Sequence, residues 1–505
     1  MAEQKSGERK HLFGTTEKSD FILNMNQQQT FKLCGLYSII AIAVLAAINI
    51  PFTILKHTFD YVDEDNITHY ADDLIAHYAS ILVVGAGLIG FWFFLVGRMK
   101  KEIVIKDNKL LLIPAFIIAV SAWSMFASGN ISTCFFGYLD RSEGLLTILA
   151  YWGFFAAGMA VTGDKWRQRF TDFLAALGLL NAVVGILQSI PALYDVMPNK
   201  FKDLFVRFGA TPGAGEIATS EGIYEKGYAA SGLLITPFAL AAVMTLVIAI
   251  TLTGFALVKS GKKKAFYGVT AISCTAAAVL TKTLVGAVGA GAAVVAALVI
   301  VCVKAGVKKQ KVPAVLALCA AAAAVGCAAV LYTTGAAQLK DEQVMYTETN
   351  HRLSVGNPRE EKSQWIYEYM WSDGAYVIQQ HPVVGVGPDN WSEMFELKLT
   401  ADRVYNQYLD VGMQRGVICL GLYGLFLIVT VVKLGKAVKK HFKDEENVSW
   451  VAAGLMAAVI AYMIQAFFNS GNNYSTPYFM LITGMGWSYF GAKAGVGKKK
   501  GKAKK

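Results

Sequence analysis

Long uninterrupted apolar runs recur along the whole chain, and they limit it to one kind of fold. Most of the runs measure roughly 18 to 25 residues, about what a helix needs to cross a ~30 Å hydrocarbon core. They are apolar on every side rather than striped. Only 16% of the 505 residues are charged and 55% are hydrophobic, whereas soluble domains are about 25% charged. A soluble multidomain enzyme, a disordered chain and a secreted disulfide scaffold are excluded.

Backbone in lipid must hydrogen-bond within itself, and no barrel-like alternation is present. The sequence therefore predicts an all-α polytopic integral membrane protein with about twelve transmembrane helices. The apolar runs are Leu33 to Leu55, Tyr78 to Gly97, Leu110 to Ala127, Leu145 to Val161, Phe173 to Ile190 and Leu233 to Val258. Six more are Phe266 to Leu280, Leu284 to Val303, Pro313 to Leu331, Val417 to Val432, Trp450 to Phe468 and Tyr478 to Tyr489. The expected organisation is a polar tail over 1–32, nine spans over 33–332, a large, partly helical outer loop over 333–405, three spans over 406–490 and a Lys-rich tail over 491–505.

The net charge of +11 is concentrated in clusters that flank the runs. These are Arg98, Lys100 and Lys101; Lys262 to Lys264; Lys304, Lys308, Lys309 and Lys311; Lys436, Lys439 and Lys440; and the C-terminal tail. With the N-terminus placed in the cytoplasm, alternate counting puts every cluster inside. The acidic stretch Asp60, Asp63, Glu64, Asp65, Asp72 and Asp73 then falls outside. Retention of positive charge in the cytoplasm explains this better than a nucleic-acid groove does. The expectation is a multi-pass protein of the inner (plasma) membrane, with both termini cytoplasmic and no nucleic-acid partner. The first 30 residues lack a signal-peptide core, so the first span acts as an uncleaved insertion signal. Six of the seven cysteines lie in apolar runs and Cys134 sits in a polar connection. Neither a disulfide framework nor a metal site is expected.

Two outer connections are long: Pro191 to about Ser231, and Thr333 to about Tyr405. Loops of this length are usually functional or disordered. The second carries Trp365, Tyr369 and Tyr376 on one helical stripe, with Ile366, Met370 and Val377 beside it. It reads as an interfacial amphipathic helix or as a wall over a site. No Walker A, dinucleotide, zinc-protease or EF-hand spacing occurs, and Gly385-Val386-Gly387-Pro388 reads as a tight turn. A Lys or Arg at mid-bilayer costs about 2.5 to 3.5 kcal/mol, so charges near the membrane are informative. Lys282 separates two runs in Thr281-Lys282-Thr283, and Arg141 and Glu143 precede the fourth span. Arg352, Arg359 and Arg403 come from the long loop. Singly, each is an interfacial anchor. Gathered on the outer face, they suit an anionic group such as phosphate.

The segment His381-Pro382-Val383-Val384-Gly385-Val386-Gly387-Pro388-Asp389-Asn390 is followed by Asp402-Arg403-Val404-Tyr405-Asn406-Gln407-Tyr408-Leu409 and then Gly416. Together they resemble the signature of the O-antigen ligase and polymerase family. Arg141-Ser142-Glu143-Gly144, and Gln465 to Asn469 with Pro477, are similar to further family segments. The resemblance implies a glycosyltransferase without metal or cofactor. It would move a glycan from an undecaprenyl-diphosphate carrier to a lipid such as the lipopolysaccharide core, to another glycan or to a protein. It also implies basic residues on the diphosphate, here Arg141, Lys282, Arg352, Arg359 and Arg403, with Asn406 beside them in the substrate site.

Three positions depart from the family pattern. Lys282 and Tyr367 stand where arginines are expected, and Tyr405 stands where a catalytic histidine is expected. A phenol with a pKa near 10 is a poor base at neutral pH. Glu143, His351 or His381 would then take the proton, with Tyr405 facing the acceptor. The alternatives are electrostatic stabilisation of the leaving diphosphate and a non-catalytic relative. A transporter or flippase of lipid-linked sugars is the rival from another class. Discontinuous helices and mid-membrane charges would favour it.

Overall fold

A computed structural model describes residues 27–47, 61–62, 68–69, 72–100, 103–105, 108–138, 141–190, 193, 196, 218–219, 222–223, 230–234, 236–307, 366–390, 403–443, 450–490 and 492–494. The ninth apolar run, most of the long loop with His351, Arg352 and Arg359, and most of the two expected terminal tails lie outside these residues.

The described protein is helical. In chain order it forms α1 (Gln27–Ala47), α2 (Asp72–Met99), α3 (Leu112–Ala127), α4 (Ile131–Phe136), α5 (Leu145–Ala160), α6 (Asp164–Gln188) and α7 (Pro237–Leu257). There follow α8 (Gly261–Leu280), α9 (Leu284–Val307), α10 (Ile366–Gln380), α11 (Gln407–Lys443), α12 (Trp450–Gln465) and α13 (Thr476–Trp487). Seven of these helices are long and apolar enough to cross a membrane: α1, α2, α3, α6, α7, α9 and α11. α5 and α12 are shorter apolar helices. This is a multi-pass membrane protein. Its only strands among the described residues are three short antiparallel ladders. They pair Tyr61–Val62 with Thr68–His69, Ile103–Ile105 with Ala492–Ala494, and Ala218–Thr219 with Gly222–Ile223.

α7 is the central helix. It packs on α6, α8, α9 and α12, and nearly every residue from Pro237 to Gly254 is buried. Helices at the periphery turn large apolar side chains outward, as Leu88, Phe91 and Trp92 do on α2 and Phe116, Trp123 and Phe126 on α3. Lipid solvates such a surface without penalty.

Three local features refine the sequence expectation. Cys134 sits in a short helix, α4, buried, with its Sγ 3.0 Å from Ser128 Oγ. α11 extends well past the run Val417 to Val432, because Leu434, Val438 and Phe442 continue a buried stripe at four-residue spacing among the lysines. In α10 the buried face is Tyr367, Met370, Gly374 and Val377, while Tyr376 is exposed.

The two ends of the bundle differ in charge. At one end Arg98 Nη1 donates to Ile103 O at 3.2 Å and Lys100 Nζ to Thr30 Oγ1 at 3.2 Å. Lys263 pairs with Asp172 at 2.8 Å. The Arg167 Nε donates to Val161 O and Ser488 Oγ, both at 2.9 Å, and its guanidinium lies 4.0 Å from the Tyr489 ring centroid. α5, α8 and α11 each connect this end to the other, where the turns at 137–144, 281–283, 381–390, 403–406 and 466–475 meet.

Candidate active site

The site grows from a broken helix. Inside α11, Gly416 has φ 78° and ψ 170°, so two helical pieces meet there. The break frees carbonyls that backbone buried in a membrane cannot leave unpaired. The loop after α10 supplies the donors. Val386 N donates to Met413 O at 3.0 Å and Gly387 N to Gln414 O at 2.9 Å, while Val417 N donates to Pro382 O at 2.8 Å. A Cβ on Gly416 would collide with Val383 O, so the close approach requires glycine. The spacing of the Gly385-Val386-Gly387 turn and Gly416 therefore records one docking event.

That docking presents Asp389, whose backbone is left-handed at φ 55°. Its Oδ1 pairs with Arg141 Nε at 2.8 Å, and both side chains are almost fully buried. Its Oδ2 accepts Tyr138 N at 2.8 Å and Glu143 N at 3.2 Å. Asp389 thus binds the 138–143 turn to the loop, and Arg141 points inward to it. The Arg141 carbonyl in turn accepts Asn473 Nδ2 at 2.7 Å.

Glu143 projects from this turn towards α11. Its Oε2 pairs with Arg403 Nη1 at 2.6 Å, and its Oε1 accepts Asn473 N at 3.3 Å. Arg403 Nη1 also donates to Gly471 O at 3.1 Å. Burial raises the Glu143 carboxyl to about 7. Arg403 opposes that rise and Asp389 adds to it. A carboxylate that takes up a proton near neutrality is suited to acid–base work.

Below Glu143 lies a chamber of about 70 Å³. Polar walls come from Glu143, Gln407, Asp410, Gln414, Arg415 and Tyr151, and apolar walls from α3, α5 and α13. Gln414 links the two parts: its Oε1 accepts Asp389 N at 3.1 Å and its Nε2 reaches Asp410 Oδ1 at 3.5 Å. The sequence reading missed Asp410, Gln414 and Arg415. Gln407, Asp410 and Gln414 recur at three- and four-residue spacing, and that polar face was the available signal.

The other expected residues fall as follows. Asn406 Oδ1 accepts Tyr408 N and Leu409 N at 3.0 and 3.1 Å, so it caps α11. His381 closes α10, is exposed, and does not line the chamber. Lys282 occupies the α8–α9 turn at φ 53°, between Thr281 and Thr283, whose hydroxyls lie 2.9 Å apart. Tyr405 and Tyr367 are buried in an apolar cluster with Phe238, Leu284, Val285 and Met370. Tyr405 packs 4.8 Å from Phe238, and Trp371 and Phe468 flank Tyr367. Leu284 belongs to this cluster, so the Lys282 turn abuts it. The structure thus brings Arg141, Glu143, Arg403 and Asn406 together around α11, with Lys282 and Tyr405 on the adjoining side.

Residues 248–424 match the O-antigen ligase family model. Over this stretch the chain is similar to O-antigen ligases. The match, about a third of the chain, includes the Lys282 turn, the 381–390 loop and the break at Gly416. Arg141, Glu143 and the 466–475 segment lie outside it but pack against it. No curated protein matches the chain. Among the described residues no group of His, Cys, Asp and Glu is arranged to hold a metal ion.

Proposed function

We propose that this protein is a glycosyltransferase of the inner (plasma) membrane that moves a glycan from a polyprenyl-diphosphate carrier to a lipid, glycan or protein acceptor on the outer face. In this reading about twelve spans place both termini in the cytoplasm. Lys282 and Arg403 meet the donor diphosphate, together with Arg352 and Arg359 from the long loop. Arg141 shapes the turn, and Glu143 takes the acceptor proton.

One observation carries the reading. The described residues contain four non-glycine positions with positive φ: Ser142, Lys282, Asp389 and Tyr405. Each lies in a different one of the five segments that converge here, 466–475 being the exception without one. Such backbones cost about 1 to 3 kcal/mol each and persist where function requires the geometry.

Lys282→Gly is the informative variant, because glycine relieves the left-handed strain while removing the charge. It should leave stability equal or improved. Transfer from a lipid-linked donor by the reconstituted protein should nonetheless fall about tenfold or more, the loss of one charge-assisted contact. Lys282→Arg should retain transfer. Unimpaired transfer by Lys282→Gly would remove Lys282 from the donor site.

A non-catalytic relative is favoured by one observation of its own: Tyr367 and Tyr405 are closed into an apolar cluster. Absence of transfer by the wild type, with every lipid-linked glycan of its own cell as donor, would decide for that reading. The transport reading draws only on the break in α11, and there the 381–390 loop already occupies the freed carbonyls of Met413 and Gln414.

A further inference from the structure

The chamber beneath Glu143 holds a second carboxylate that the transfer reading leaves without a role. Asp410 lies in the amino-terminal piece of α11, 7% exposed, and lines the same space as Glu143. Gln414 Nε2 stands 3.5 Å from its Oδ1, and the Ser470 side chain is a further hydrogen-bond partner. Polar chambers of this size hold water, which needs two to four polar partners. Here Glu143, Asp410, Gln407, Gln414 and the phenols of Tyr151, Tyr423 and Tyr462 offer them.

We propose that Asp410 is the second member of a proton relay, receiving through chamber water the proton that Glu143 takes from the acceptor hydroxyl. The inference rests on the transfer reading above. In the reaction the acceptor O–H bond breaks and its proton goes to Glu143. The acceptor oxygen bonds the anomeric carbon, and the carbon–oxygen bond to the diphosphate breaks with its electron pair leaving on the diphosphate. The proton moves from Glu143 to Asp410 and ends on the released diphosphate or in solvent.

A physical reason favours the second step. Neutral Glu143 leaves Arg403 without its 2.6 Å partner, and Arg403 sits three residues from the Asn406 cap that starts α11. Passing the proton on restores that pair. The charged and titratable groups facing Asp410 are Arg415 on its own helix, and Arg403 and Arg141 from the two turns. Tyr151 on α5, Tyr423 on α11 and Tyr462 on α12 face it across the chamber. The arginines balance the carboxylates, so either carboxylate can hold the charge.

The test compares wild type, Asp410→Asn and Glu143→Gln, all reconstituted in vesicles, by two readouts. The first is the pH–rate profile with its solvent isotope effect. The second is the infrared carboxyl band between pH 5 and 9, which needs no turnover. Asp410→Asn keeps the shape, so folding is preserved. It should lower the rate about tenfold or more, move the acid limb of the profile, and shift the band that Glu143→Gln abolishes. Asp410→Glu should restore the wild-type profile. An Asp410→Asn protein with wild-type profile, isotope effect and band overturns the relay while the transfer reading stands. A wild type without transfer overturns the transfer reading and the relay with it. The infrared shift then reports only whether the two carboxyls share a proton.

Discussion

At Glu143, burial and an ion pair act in opposite directions on one carboxyl, and in the proposed mechanism the outcome sets the pH dependence of transfer. Burial dominates, so the group is half ionised at about 7 rather than near 4.5. Only the ionised form can accept a proton. Transfer is therefore expected to rise with pH through 7 and to fall about tenfold per unit on the acid side. Glu143→Gln should reduce transfer about 100-fold or more, the usual contribution of a general base, and abolish that acid limb. A Glu143→Gln protein with the wild-type profile would place the base elsewhere. Tyr405 gives the contrasting case. Its ring fills the space beside Phe238, so Tyr405→Phe should keep the fold and change transfer modestly. Tyr405→Ala should lose about 3 to 5 kcal/mol of stability, as buried aromatic truncations do. Thermal unfolding in detergent measures the second effect, and equal melting of Phe and Ala variants would contradict the packing described.

The elements explain which parts of the site can be read in sequence. Gly385, Gly387 and Gly416 stand out because a positive φ admits few residues, so the chain spells the docking of the loop on α11 in glycine. Gly416→Ala should therefore cost at least about 1 to 3 kcal/mol from the left-handed backbone alone, with a collision at Val383 O added. A melting temperature equal to wild type would argue against the break. The ion pairs are harder to read. Nothing local in Arg141-Ser142-Glu143 says that Arg141 turns to Asp389 while Glu143 turns to Arg403, since each partner is some 250 residues away in the chain. Arg141 as read from sequence is a cation available to a ligand; in the fold its Nε is paired with a carboxylate. The helix at the end of the long loop was legible as a periodic stripe, but not which face turns inward; that face holds Tyr367, Met370 and Val377, and Tyr376 is exposed. Aromatic residues satisfy both a lipid interface and a protein core, so their type alone does not choose the face.

For the whole molecule, the legible quantity is charge asymmetry, because it depends on counting rather than on contacts. The basic clusters at Arg98, Lys100 and Lys263, and the lysines that end α11, gather at one end, and the candidate site forms at the other. That separation is a property of the fold. Which end faces the cytoplasm follows from a further physical rule, that Lys and Arg in short loops resist translocation. The number of spans is less constrained, since α5 and α12 are apolar but reach only 16 residues each. Sidedness is testable at positions exposed at each end. In a variant without its native cysteines, Lys439→Cys lies on the exposed face of α11 and Val383→Cys in the docked loop. With an impermeant thiol reagent on intact cells, position 383 should label and position 439 should label only after the membrane is opened. Labelling of 439 in intact cells would invert the molecule and place Glu143, Arg403 and Lys282 on the cytoplasmic side. Glycan transfer on the outer face would then be impossible for these residues, whatever their chemistry.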